Sequence, residues 1–202
     1  MSNTAKPNHY TESDYTDEHI KEEWINGIKY MSPRPQYDHI SIQGYIFIAL
    51  SNYFKGSCRV ISEPDTFLTK DNLGDLRSDT NKLCILFKNK ETNIVPDLVV
   101  VCDKKQIVSK GIIGIPNLII EVLSPSNSSS DTIIKFNLYQ KYGIPEYWII
   151  DPMTKKVFIW VLENEQYTLK IQCNFDDKFI SPRFNGLEID MSLVDLVDME
   201  EE

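Results

Sequence analysis

Apolar residues along the chain recur with two periods, one suited to helices and one to strands. A short helix is predicted over residues 16–22. Glu23-Trp-Ile, Asn26-Gly27 and Ile28-Lys-Tyr-Met then form a hairpin signature, because Asn-Gly supplies the two positive-φ residues of a type I′ turn. Pro33 and Pro35 end its second strand. From Tyr37 to Phe54 the spacing predicts a helix with Ile40, Phe47, Leu50 and Phe54 on its packed side and Ile46 beside them, stopped by Gly56. Arg59–Ser62, Thr66–Thr69 and Leu83–Lys88 read as short strands, and 70–82 as a polar loop.

Two continuous apolar runs follow, Asp97–Cys102 and Asn117–Leu123, each with proline on its N-terminal side. Runs of this kind suit strands buried on both faces at the centre of a sheet. A serine-rich loop after Leu123 leads into a helix from about Ser130 to Tyr142, ended by Gly143. Strands are predicted at Tyr147–Ile150 and Val157–Leu162 around an Asp151-Pro152 turn, then at Tyr167–Gln172, with a short helix near Ser192–Val197. The pattern is α/β (α+β): a mixed, mainly antiparallel sheet flanked by helices.

Composition adds little to that reading, but charge changes it. The 202 residues are 42% hydrophobic and 25% charged, as in an ordinary globular chain, with a net charge of −9. Residues 1–23 carry −4 and residues 195–202 carry −5, so residues 24–194 are neutral. The acidity that would oppose a polyanionic partner therefore belongs to the ends. The expected organisation is an acidic arm at 1–15, one domain over 16–197 and an acidic tail at 198–202.

The four cysteines have no C-x-x-C spacing, so neither a zinc site nor a redox motif is visible. Small buried thiols are expected for those in apolar runs. Residues 1–14 lack the apolar stretch of a signal peptide, and no run approaches the roughly 18 apolar residues of a membrane span. The expectation is a reduced, cytoplasmic protein without membrane attachment.

Candidate chemistry centres on two acids. If the two central runs pair antiparallel, Asp97 at the start of one meets Glu121 near the end of the other. Burying an acid within Leu-Ile-Ile-Glu-Val-Leu is costly unless a cation or hydrogen-bond donors meet it. Two such ligands suit Mg²⁺ or Mn²⁺; the alternative is a salt-bridged strand acid. Asp131, Lys135 and Tyr139 are spaced by four and share one helix face. Lys135 is then either a partner of the metal site or half of an ordinary surface pair with Asp131, and spacing alone favours the pair.

At this point Pro96-Asp97-Leu-Val-Val-Val-Cys-Asp103, Pro116-Asn-Leu-Ile-Ile-Glu121-Val-Leu-Ser-Pro-Ser126, Asp131-x-x-x-Lys135-x-x-x-Tyr139 and Gly143-Ile-Pro-Glu-Tyr-Trp-Ile-Ile-Asp151-Pro152 together resemble the Uma family of endonucleases. That family is placed in the PD-(D/E)XK, or restriction-endonuclease-like, superfamily. Glu23-Trp-Ile-Asn-Gly27 and His39 fit its pattern as well, and the match spans roughly 20–197. The resemblance implies a restriction-endonuclease-like core with Asp97 and Glu121 as metal ligands, joined by the Val122 carbonyl, and Glu23 as the N-terminal acid of the site. Leu123 stands where the superfamily has lysine, and the family's lysine from the following helix corresponds to Lys135.

The implied activity is hydrolysis of phosphodiester bonds in nucleic acid, DNA above all, with Mg²⁺ or Mn²⁺ and a metal-activated water. Glu23, Asp97, Glu121 and Lys135 are the implied catalytic residues, and a homodimer is a natural arrangement for cutting a duplex. The alternative is a non-catalytic nucleic-acid-binding or partner-recruiting protein of a mobile-element or defence system that keeps the nuclease fold. By position alone, His39 reads as a packing or capping residue, and the serines as helix caps.

Overall fold

The computed structural model describes residues 21–32, 35–88, 92–124 and 129–197. The described residues open with a hairpin, β1 (Lys21–Ile25) and β2 (Ile28–Ser32), turned through Asn26 at φ 50° and Gly27 at φ 78°. Helix α1 (Tyr37–Phe54) ends at Lys55 in the left-handed conformation. Then come β3 (Arg59–Ser62) and β4 (Thr66–Phe67), helices α2 (Leu73–Ser78) and α3 (Thr80–Lys88), and strands β5 (Thr92–Ile94) and β6 (Leu98–Val101). β7 (Ile107–Val108), β8 (Gly111–Ile113) and β9 (Leu118–Val122) precede α4 (Ser129–Tyr142). β10 (Glu146–Asp151), β11 (Lys156–Glu163) and β12 (Gln166–Asn174) form a meander, followed by the ribbon β13 (Lys178–Ile180) and β14 (Glu188–Asp190).

Among the described residues there are two six-stranded sheets, ordered β2-β1-β5-β4-β8-β7 and β12-β11-β10-β9-β6-β3. Both are mixed and mainly antiparallel. The parallel pairs are β4 with β8 and β9 with β10. A parallel pair needs a crossover, and α4 supplies it between β9 and β10. The second sheet is covered on both faces. Leu98, Val100, Ile120, Trp148 and Ile150 pack against Ile42, Ile46 and Leu50 of α1. On the other face Ile119, Tyr147 and Ile149 meet Leu138 and Tyr139 of α4, Ile25 and Ile94 of the first sheet, and Leu68 just after β4. This double burial is why β6 and β9 are apolar at every described position between Leu98 and Val101 and nearly so from Leu118 to Val122.

Several expectations need correction. Leu83–Lys88 is helical, part of α3, because Leu83, Leu86 and Phe87 turn together onto Phe67, Leu76 and Ile113 while Cys84 and Ile85 face solvent. Segment 70–82 contains α2, whose N-terminus Asn72 caps by accepting from the Gly74 and Asp75 amides. On α1 the buried side is His39, Ile42, Gln43, Ile46, Leu50 and Phe54, with Ile40 exposed and Phe47 only half-buried. Residues 21 and 22 of the helix expected at 16–22 are strand, and the rest lies outside the described residues, as does Pro33. The expected C-terminal helix is a single 3-10 turn, Met191–Leu193.

The expectation of free thiols fails for Cys58 and Cys102, which form a disulfide. The antiparallel β3–β6 register pairs Arg59 with Val101, and one step further sets Cys58 opposite Cys102. Cys84 and Cys173 are free. Among the described residues no helix is long and apolar enough to cross a membrane.

Candidate active site

Extending the β6–β9 register of Leu98 with Ile120 by one residue sets Asp97 opposite Glu121. Directly opposed residues of an antiparallel pair project from the same face, so both carboxylates emerge together on one face, at the start of β6 and the end of β9. The Val122 amide donates to Asp97 Oδ2 at 2.7 Å. The main chain at Asp97 is pinned too: its carbonyl accepts from Gln43 Nε2 at 2.8 Å and from the Glu63 amide at 3.1 Å.

Lys135 does not make a surface pair. It is 5% exposed, and its ammonium lies 3.1 Å from Glu121 Oε1 and 2.9 Å from Glu23 Oε2. The i, i+4 spacing on α4 that puts Tyr139 on the same face brings its hydroxyl 2.6 Å from the same Glu121 oxygen, to which it donates. Burial, and then the nearby Glu121 and Glu23 charges, hold the Tyr139 hydroxyl well above its ordinary pKa, so it remains a protonated donor. Glu23 reaches in from β1, its Oε1 accepting from the Val95 amide at 2.7 Å. Strand β5 ends just before Val95, so the pairing of β1 with β5 ties the N-terminal acid to the loop that leads to Asp97.

Glu23, Asp97, Glu121 and Lys135 thus converge, buried, where the two sheets meet under α4. His39 of α1 joins them. Its Nε2 lies 3.4 Å from Asp97 Oδ1, and among the described residues neither ring nitrogen finds a hydrogen-bond partner although the residue is 7% exposed. By position alone His39 reads as a packing or capping residue, only its fit to the family pattern points it towards the site, and the residue pattern assigns Tyr139 and Gln43 no role of their own. The signal for Tyr139 was its spacing of four from Lys135. Asp131 lies on α4, but its side chain and residues 125–128 are outside the described residues. Among the described residues no three His, Cys, Asp or Glu side chains form a ready-made metal cage.

The crystal structure of a "putative nuclease belonging to DUF820" from Anabaena variabilis has a similar fold, with a TM-score of 0.62 and 20% sequence identity, covering 85% of this chain and 87% of that one. At this identity the likeness is one of fold. No curated protein matches the chain significantly. The family model described as "Putative restriction endonuclease", Uma2, matches residues 8–192. A match over nearly the whole length makes this chain a member of the Uma2 family of restriction-endonuclease-like nucleases.

Proposed function

We propose that this chain is a metal-dependent endonuclease that hydrolyses phosphodiester bonds of nucleic acid, with DNA as substrate, and that it acts on duplexes as a homodimer. The observation that carries the reading is the opposed pair Asp97 and Glu121, with Lys135 bonded to Glu121 from the neighbouring helix.

The residues fit a hard divalent cation. Two carboxylates on one face of two neighbouring strands are the donor set that Mg²⁺ or Mn²⁺ takes while keeping waters and substrate phosphate as its other ligands. Two buried carboxylates at opposed strand positions also favour a cation beside them. Beside them His39 Nε2 approaches Asp97 Oδ1 to 3.4 Å and neither ring nitrogen is hydrogen-bonded among the described residues, so a buried polar group with spare capacity faces the acids. Asp97 and Glu121 would hold the ion, which when bound supplies Lewis-acid stabilisation of the phosphate and a lowered pKa for water.

The chain's own groups do the rest. The Val122 amide fixes Asp97, and Tyr139 fixes Glu121, so neither carboxylate has to reorganise as charge develops. Lys135 holds Glu23 and Glu121 in one arrangement and adds positive charge where the phosphate gains negative charge. Glu23 keeps the lysine in place.

Metal titration followed by thermal unfolding tests the reading. Mn²⁺ and Mg²⁺ should raise the melting temperature of the wild type and leave that of Asp97→Ala unmoved. A chain that binds oligonucleotides with no metal-dependent shift in either protein is a binding module that kept the fold.

A further inference from the structure

We infer that the outer face of α1 is a self-association surface on which two copies of this chain pair antiparallel. From His39 to Phe54 the helix carries no Asp, Glu, Lys or Arg. Its inner side is spent on the core, yet Ile40 is 54% and Ile48 61% exposed on the other side. Gly44 lies between them at helical spacing, and a side chain added there would enter open space. An exposed glycine inside a helix costs about 1 kcal/mol against alanine. Gly44 has no positive φ to explain it, so the remaining use of a missing side chain is close approach by another backbone. The apolar surface continues onto Leu193 and Val197, 67% and 49% exposed. Their segment is held beside the helix by the Tyr37 hydroxyl donating to Asp195 and the Val197 amide donating to Asp38.

The occupant follows from charge. The charged residues bounding this stretch are Asp38 at the start of α1 and Lys55 at its end. A two-fold axis crossing the helix beside Ile46 makes that arrangement self-complementary. Ile48 then drops onto Gly44 of the partner subunit, and Lys55 meets the partner's Asp38. Asp195, bonded to Tyr37, adds to the acidic end. The pairing brings apolar to apolar and opposite charge to opposite charge in one register, whereas a parallel pairing would set like charges together. It does not rest on the nuclease reading. If that reading also holds, the two sites lie about 20 Å apart along the helix axis.

Sedimentation equilibrium on the full chain tests the pairing. The wild type should dimerise in the micromolar range. Ile48→Lys and Gly44→Gln should each raise the dimer dissociation constant about tenfold or more, with thermal unfolding unimpaired because both positions face solvent. Lys55→Glu should weaken the dimer, and adding Asp38→Lys should restore it. A monomeric wild type overturns the proposal, as does a dimer indifferent to both Ile48→Lys and Gly44→Gln. A monomer that dimerises only after residues 1–15 are deleted also overturns it, assigning this face to the N-terminal arm.

Discussion

The Tyr139 hydroxyl donates to Glu121 Oε1 at 2.6 Å, the same oxygen that the Lys135 ammonium approaches to 3.1 Å. One carboxylate oxygen is therefore held by two donors from successive turns of α4. Replacing Tyr139 with phenylalanine removes one donor and almost no volume. Hydrogen bonds to charged groups contribute about 1.5–3 kcal/mol, so Tyr139→Phe should lower the urea midpoint by that equivalent with an unchanged slope. An unaltered midpoint would mean the bond contributes nothing.

Lys135 sits between two buried acids, so its removal leaves them facing each other. Lys135→Met should cost about 3–5 kcal/mol of stability, the usual penalty for breaking a buried ion pair from one side. Adding Glu23→Gln should recover part of that loss by removing one of the stranded charges. Unfolding of the single and double variants measures the coupling, and a purely additive pair would contradict it.

His39 separates packing from site chemistry. Among the described residues neither His39 nitrogen is hydrogen-bonded and Nε2 has only its 3.4 Å approach to Asp97, so His39→Leu should change the stability of the metal-free protein little, exchanging an under-satisfied buried polar group for an apolar one. The same variant should show a smaller Mn²⁺-induced rise in melting temperature. If His39 were only a packing residue, the Mn²⁺ response would be unchanged.

Glu146 lies outside the site and is fully buried, accepting from Trp148 Nε1 at 2.6 Å, Ser181 Oγ at 2.8 Å and the Arg183 amide at 3.1 Å. Burial pushes its carboxyl above the ordinary value, and the three donors only partly oppose this. A raised folded pKa means the native state binds the proton more tightly than the unfolded chain. Its contribution to stability is therefore complete below the unfolded value of about 4.3 and is lost as pH rises through the folded value. Glu146→Gln should flatten that part of the stability–pH curve just above the unfolded carboxyl pKa. A curve with the wild-type slope would remove Glu146 as its source.

The central architecture could be read from residue pattern because the Leu98–Val101 and Leu118–Val122 runs are apolar at nearly every position and bounded by proline. Their antiparallel pairing then brings Asp97 to Glu121. Leu83–Lys88 fits both periods because its apolar run, Leu83–Phe87, is only five residues long, and that short length argues for a strand. The existence of α1 was legible but its orientation was not. With Ile40, Ile42, Ile46, Phe47 and Ile48 spread around the helix, no polar side marks the exterior. Cys58 and Cys102 are 44 residues apart, and only the β3–β6 register sets them together. Lys135 looked like a surface partner of Asp131 because spacing along one helix carries no information about Glu23, more than a hundred residues earlier.

The most direct test of the central claim is cleavage of supercoiled and linear DNA by the purified chain with Mg²⁺ and Mn²⁺, beside Asp97→Ala, Glu121→Gln and Lys135→Ala. Nicking should require the metal, vanish in EDTA, and fall by about two to four orders of magnitude in each variant. Equal residual cleavage by the wild type and all three variants would contradict the account.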